Sequence, residues 1–264
     1  MKRRLRIATV LALCAAAAPA SAQWAPHLPP GVPLTENGEP DLDAPPPRTA
    51  DGKPDLTGVW QGARGRTPED SDGPPVAGFG DVGQNMEGGL PLRPEGAAVL
   101  EERRARDGAD NPEAHCLPMG IMQFHTQGAP RKFIQTPNVV VILYEASMGV
   151  RQIFLDGREL PGEEAHPWRY GYSVGRWEGD ELVVETTGLR DDGWLDIFGS
   201  PLTDAARITE RFRRVSYGRM EIDITVDDPK VYTRPWTVRV NQQIMPDQEL
   251  IEFVCLENQR FGPR

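Results

Sequence analysis

The sequence predicts a mainly β domain in which an antiparallel up-and-down meander closes into a barrel. Three observations carry that expectation. Strand-like runs separated by short turn-forming clusters recur from residue 132 to residue 256, and several alternate apolar and polar residues with period two. Helix signals are sparse in a chain of 264 residues holding 27 Gly and 26 Pro, which excludes a long helical bundle. Six Trp, eight Phe and five Tyr require burial, so disorder throughout is excluded as well. A meander with one apolar face and little helix to cover it must curl on itself, because a flat sheet leaves that face wet and its edges unpaired. The expected architecture is a calycin-like barrel of about eight to ten strands, with a two-sheet β-sandwich as the alternative.

Residues 1–22 read as a secretory signal. Lys2, Arg3, Arg4 and Arg6 make a basic start, residues 7–18 form an apolar run, and Ala20, Ser21 and Ala22 offer a small-residue cleavage site before Gln23. The run is nearer the ~12 residues of a signal than the ~20 of a bilayer span, so a periplasmic or secreted protein is expected, without membrane insertion after cleavage. Residues 23–50, rich in Pro and without periodicity, read as an extended arm ahead of a single barrel domain over residues 51–264. Residues 56–60 enter that domain as a short strand ending on Trp60. In the following segment, 61–94, thirteen of 34 residues are Gly or Pro, so no regular element fits and a loop either disordered or functional is expected.

One short helix is expected from Pro94, which suits a first helical turn, through the helix formers up to Arg106. Glu102 and Arg106 are spaced for an ion pair, and Gly108 supplies a stop. Strands are expected at 132–136, 139–146 and 150–155, then as hairpins at 171–177 with 181–187, 207–215 with 219–226, and 232–244 with 249–256. Met220, Ile222, Ile224 and Val226 share one face while Glu221, Asp223, Thr225 and Asp227 share the other. Trp236, Val238 and Val240 likewise oppose Thr237, Arg239 and Asn241.

The formal charge is −10, and the signal carries four of the 29 basic residues and none of the 39 acidic ones, so the remaining 25 against 39 give −14. Nucleic acid is excluded as an expected partner, since phosphate binding needs a basic surface. Arg211, Arg213, Arg214 and Arg219 face Glu221 and Asp223 across a turn and read as cross-strand charge pairing. With Cys14 in the signal, Cys116 and Cys255 are expected to form a structural disulfide in an oxidising compartment.

No nucleophile elbow, zinc-protease motif, phosphate loop or dinucleotide fingerprint is present, so no cofactor is expected. His27, His115, His125 and His166 lack metal-ligand spacing, and no metal site is expected. Asp191, Asp192 and Asp196 surround Trp194, and clustered carboxylates raise one another's pKa as an acid/base pair requires. Glu210 shares a strand face with Ile208 and Phe212; if that face turns inward its carboxylate needs a cation, for which Arg151 or Arg239 would serve. His115 and His125 flank Cys116, with Arg131 as an anion partner. Tyr172, Trp177, Trp194 and Trp236, at strand ends or turns, are candidates to line a pocket for an aromatic, apolar or sugar-like molecule.

Residues 47–60 (PRTADGKPDLTGVW), 171–180 (GYSVGRWEGD), 182–188 (LVVETTG), 209–214 (TERFRR) and 228–236 (DPKVYTRPW) resemble a family of predicted exported bacterial proteins of unknown function. The resemblance runs over most of residues 47–258 and implies export and a shared β fold, without an activity. Relatives often carry two His in the loop corresponding to residues 199–202, where this chain has Ser200 and Leu202. Any chemistry those His serve elsewhere is therefore absent here or performed differently. The leading expectation is a binder of a small organic molecule in a barrel mouth lined by Trp and closed by the Gly-rich loop. Its competitor is a cofactor-independent lyase, isomerase or hydrolase using Glu210, Asp196 or His125 as base, with Arg131 or Arg151 stabilising negative charge. A third reading is a surface interaction module. The sequence leaves oligomeric state open.

Overall fold

Period-two alternation decides which side chains turn inward. In the computed structural model, which describes residues 27–63, 73–162 and 164–255, Met220, Ile222, Ile224 and Val226 are buried along one strand. Trp236, Val238, Val240 and Ile244 are buried along the next, while Thr225 and Thr237 meet on the outside through a 2.8 Å hydroxyl contact. The expected signal, residues 1–22, lies outside the described residues, as does part of the Gly/Pro-rich loop.

Nine strands close into one barrel. They are β1 (Gly58–Gly62), β2 (Arg131–Gln135), β3 (Val139–Tyr144), β4 (Val150–Phe154), β5 (Tyr172–Glu178), β6 (Glu181–Thr187), β9 (Arg207–Arg214), β10 (Arg219–Asp227) and β11 (Trp236–Ile244). The two-residue strands β7 (Gly193–Trp194) and β8 (Pro201–Leu202) pair separately in the connection between β6 and β9. Around the barrel the order is β1-β11-β10-β9-β6-β5-β4-β3-β2, and β1 returns to β2. Every barrel pairing is antiparallel except β4 with β5. That parallel pairing spans only Ile153↔Ser173 and Phe154↔Val174, whereas β10 and β11 are matched over eight residue pairs. A parallel neighbour cannot be reached by a tight turn, and the chain makes this one through residues 155–171.

The fourth expected hairpin is corrected: residues 250–254 form no strand. The barrel edge of β11 is occupied by β1, with Trp60↔Ile244 in register, so the tail has no edge to pair with. The tail is instead held by the disulfide between Cys116 and Cys255, 139 residues apart in sequence.

Helix α1 (Pro94–Ala105) starts at Pro94, and it lies so close to the chain that a Cβ on Gly96 would meet the Val231 carbonyl oxygen at 2.6 Å. Arg106 pairs with Asp110 at 2.5 Å. A second helix, α2 (Ile121–Thr126), is missing from the sequence expectation. Its residues Ile121 to His125 are all buried, so a single turn and a half shows no polar face from which a helical period could be read. It lies across the barrel where β3 ends, with Phe124 stacked on Tyr144 at 4.0 Å and His125 edge-on to Phe212 at 5.9 Å.

The arm and the Gly/Pro-rich loop both lie on the barrel's outside. Leu42 and Ala44 accept backbone bonds from Gly218 and Tyr217 at the β9–β10 turn. Residues Pro75 and Ala77 bond Arg239 on β11, and a Cβ on Gly73 would strike the Arg239 guanidinium at 2.5 Å. This cover explains why Glu221, on the outward face of β10, is buried among Arg213, Arg219 and Arg239. Residues 73–77 of the loop thus sit against the β11 flank, while Phe79 and Gly80 accept backbone bonds from Ile197 and Phe198 and the Val82 amide donates to Asp196. No helix among the described residues is long and apolar enough to cross a membrane.

Because the disulfide ties the tail to a loop far upstream, replacing Cys116 and Cys255 by Ser should cost about 3 kcal/mol, mainly by freeing the unfolded chain. Thermal unfolding should then show a midpoint roughly 5–10 °C lower. An unchanged midpoint would contradict a stabilising role for the bridge.

Candidate functional site

Glu210 lies at the centre of β9, between Ile208 and Phe212 on the inward face, and is fully buried. It meets two partners. His125 of α2 approaches through Nε2 at 2.8 Å, and Arg151 of β4 donates through Nη1 at 2.9 Å and again through Nη2. Arg151 also donates to Ser173 of β5, from Nε at 3.2 Å and Nη2 at 3.1 Å, and to Thr186 of β6 at 3.1 Å. One guanidinium thus ties together four strands across the barrel's parallel β4–β5 pairing.

Electrostatics favour the ionised pair. Burial alone would raise the Glu210 carboxyl, but the Arg151 charge and the His125 hydrogen bond outweigh it and bring the pKa to about 2. Burial lowers Arg151, and the Glu210 charge more than restores it. Burial also pulls His125 below its usual range, with the Glu210 bond opposing in part, so the imidazole is neutral near pH 7. A neutral ring facing an ionised carboxylate donates from Nε2, which leaves the Nδ1 lone pair without a partner among the described residues.

Arg131 lies behind this group. Its guanidinium donates to the carbonyls of His125 at 3.0 Å, Gln127 at 2.8 Å and Ala129 at 2.8 Å, and so fixes the chain leaving α2. Burial brings it down to about 10, still a cation at neutral pH. Arg131 thus serves the backbone, and Arg151 is the guanidinium that answers Glu210.

The seam between β4 and β5 opens into a cleft of about 200 Å³. Its walls include Phe154, Trp168, Tyr170 and Tyr172, and Arg151 and Ser173 also line it, so it reaches from the surface to the Glu210 cluster. Tyr172 stacks on Phe154 at 5.2 Å and carries Trp168 tilted at 5.2 Å, while Tyr170 meets Phe124 edge-on at 5.2 Å. Gly171 has a φ of 65°, and a Cβ there would strike the Thr186 methyl at 2.4 Å, so the sharp turn leading into β5 needs glycine.

The other sequence candidates are dispersed. Asp196 is buried elsewhere, accepting from the backbone of Val82, Gly199 and Ser200 and from the Ser200 hydroxyl at 2.6 Å, and works as a loop anchor. Asp192 is held by Arg190, and Asp191 lies beside Lys230, so the three carboxylates do not converge. Trp194 lies under Arg103, 4.6 Å from ring to guanidinium. Trp236 is buried edge-on against Tyr232, and Trp177 packs half-buried against the core. Of the four pocket aromatics named from sequence, only Tyr172 lines the seam. His115 bonds the Ala109 carbonyl at the surface and does not join His125. Arg239, the other cation considered for Glu210, pairs with Asp223 and Glu221 on the outer face. Among the described residues no group of three or more His, Cys, Asp or Glu could hold a metal ion.

Ser173, Thr186, Phe154 and Arg169 were not legible as site residues. The one available signal was polarity on inward-facing positions, since Ser173 and Thr186 fall in step with buried apolar neighbours and directly oppose each other. Comparison adds no relative: no protein-family model matches the chain, and no curated protein does.

Removing the Glu210 charge should leave Arg151 buried and unpaired, so Glu210→Gln is expected to lose about 3–5 kcal/mol in urea unfolding. Both His125 and Glu210 have folded pKa values below their unfolded ones, so their contributions are complete at higher pH and lost on acidification. The wild-type stability should fall as pH drops below 6.5, the ordinary His value, and fall further from 4.5 towards about 2 as Glu210 protonates. A flat profile between pH 7.5 and 4 would contradict this electrostatic description.

Proposed function

We propose that this is a small-molecule binding protein whose site is the aromatic cleft at the β4–β5 seam. The single observation that carries the reading is the coincidence of an opening in the barrel wall with Phe154, Trp168, Tyr170 and Tyr172 around it. At about 200 Å³ the cleft exceeds the ~150 Å³ cavity that accepts one benzene ring, so a ligand with a single planar ring is the natural size. Trp168 is 39% exposed, an unusual position for indole unless a ligand or partner covers it. The disulfide supports an oxidising compartment, and the basic, apolar and small-residue pattern at the N-terminus supports export to the periplasm or beyond.

A second reading, a cofactor-independent lyase, isomerase or hydrolase, is favoured by one observation. Glu210 holds one nitrogen of His125 and leaves Nδ1 free to accept a proton. It ranks second because His125 is fully buried and does not line the cleft, where Arg151 stands instead.

Native mass spectrometry of the protein purified from its own periplasm should show a retained small molecule. Trp168→Ala should weaken its binding about fivefold, as loss of one aromatic contact implies. Protein that retains nothing, and whose Trp fluorescence is unmoved by single-ring aromatic compounds, would overturn the binding reading.

A further inference from the structure

We propose that the seam cleft selects a single-ring aromatic carboxylate, with the ring on Trp168 and Tyr172 and the anion on Arg169. This rests on the binding reading above and goes beyond it by assigning the ligand's charge.

Arg169 lines the cleft and is half-buried, yet it makes no hydrogen bond or ion pair with any described residue. Its neighbours are committed. Arg158 holds Asp156 and the Tyr172 hydroxyl, and Arg190 holds Asp192 through two 3.0 Å bonds. Asp192 feels the Arg169 charge, but both of its oxygens are already bonded by Arg190. A partly desolvated guanidinium without a carboxylate is poised to take one, and guanidinium matches carboxylate geometry with two parallel bonds.

One further feature favours an anion. The β3–β4 ladder leaves backbone donors at the seam. Tyr144 donates to the Gly149 carbonyl and Leu155 to the Asn138 carbonyl, and with Ile142↔Arg151 in register the bonds to β3 fall on Arg151 and Ile153. Val150 and Gln152 therefore turn their amides towards β5, whose pairing begins only at Ile153. Both residues line the cleft, and no backbone bond from a turn or loop reaches them. Aromatic walls with a guanidinium and amide N–H groups on one side suit a ring bearing a carboxylate, and a sugar or a plain hydrocarbon leaves the charge unanswered.

The test is calorimetric titration of the full protein, freed of any retained ligand, with benzoate and with its neutral isostere benzamide, in wild type and Arg169→Gln. Benzoate is expected to bind wild type about tenfold more tightly than benzamide, as a charge-assisted bond implies. Arg169→Gln should remove that advantage by weakening benzoate far more than benzamide, and leave the unfolding midpoint unchanged, because Arg169 bonds to no described residue. Arg169→Lys should restore part of the preference. Equal binding of benzoate and benzamide to wild type, or a preference that survives Arg169→Gln, overturns the carboxylate assignment while leaving the aromatic cleft intact. Binding of neither probe overturns both the assignment and the cleft itself as a binding site.

Discussion

Arg151 spans the one place where backbone hydrogen bonding barely closes the barrel. Elsewhere neighbouring strands are stitched by ladders of three to eight residue pairs, but β4 and β5 share only two. The guanidinium supplies what the ladder lacks by bonding β5, β6 and β9 from a side chain on β4. Charge makes the link strong, and burial makes it exacting. A guanidinium removed from water needs partners, and each of its three nitrogens finds one among Glu210, Ser173 and Thr186. His125 completes the carboxylate's coordination and thereby fixes α2 against the barrel interior.

The same shortage of backbone pairing creates the cleft. Where strands diverge, side chains from the β4–β5 connection and from both strands fill the gap, and here they are aromatic. Phe154, Trp168 and Tyr172 form a stacked set on the outside while Tyr170 reaches in to Phe124. A rigid wall with a local opening is a sound host for a binding site, because the scaffold fixes the positions of groups that the opening exposes. The seam's internal support and the proposed binding cleft thus share Arg151, which bonds Glu210 from within and lines the cleft.

How much of this was legible in the sequence follows from the physics of each signal. The barrel was, because period-two alternation over β10 and β11 reports burial directly and a one-faced meander has few ways to hide that face. Glu210 with Arg151 was, because a carboxylate in step with Ile208 and Phe212 must find a cation. The parallel seam was not, since strand direction is set by a long connection whose residues carry no local pairing code. Helix α2 was hidden by its brevity and complete burial. The aromatic candidates Trp194, Trp177 and Trp236 lie away from the seam cleft, because type and turn position cannot say which side chains meet at one opening. Tyr172 differs from them only through its neighbours in space.

The central claim, that Arg151 and Glu210 act as one unit closing the seam, is tested most directly by a double-mutant cycle with Arg151→Met and Glu210→Met in urea unfolding. If the pair acts as a unit, each single change strands a buried charge and the double change relieves it. The coupling energy is then about 3 kcal/mol, and the double variant is no less stable than the weaker single. Losses that add to within about 0.5 kcal/mol would show two independent side chains and contradict the account.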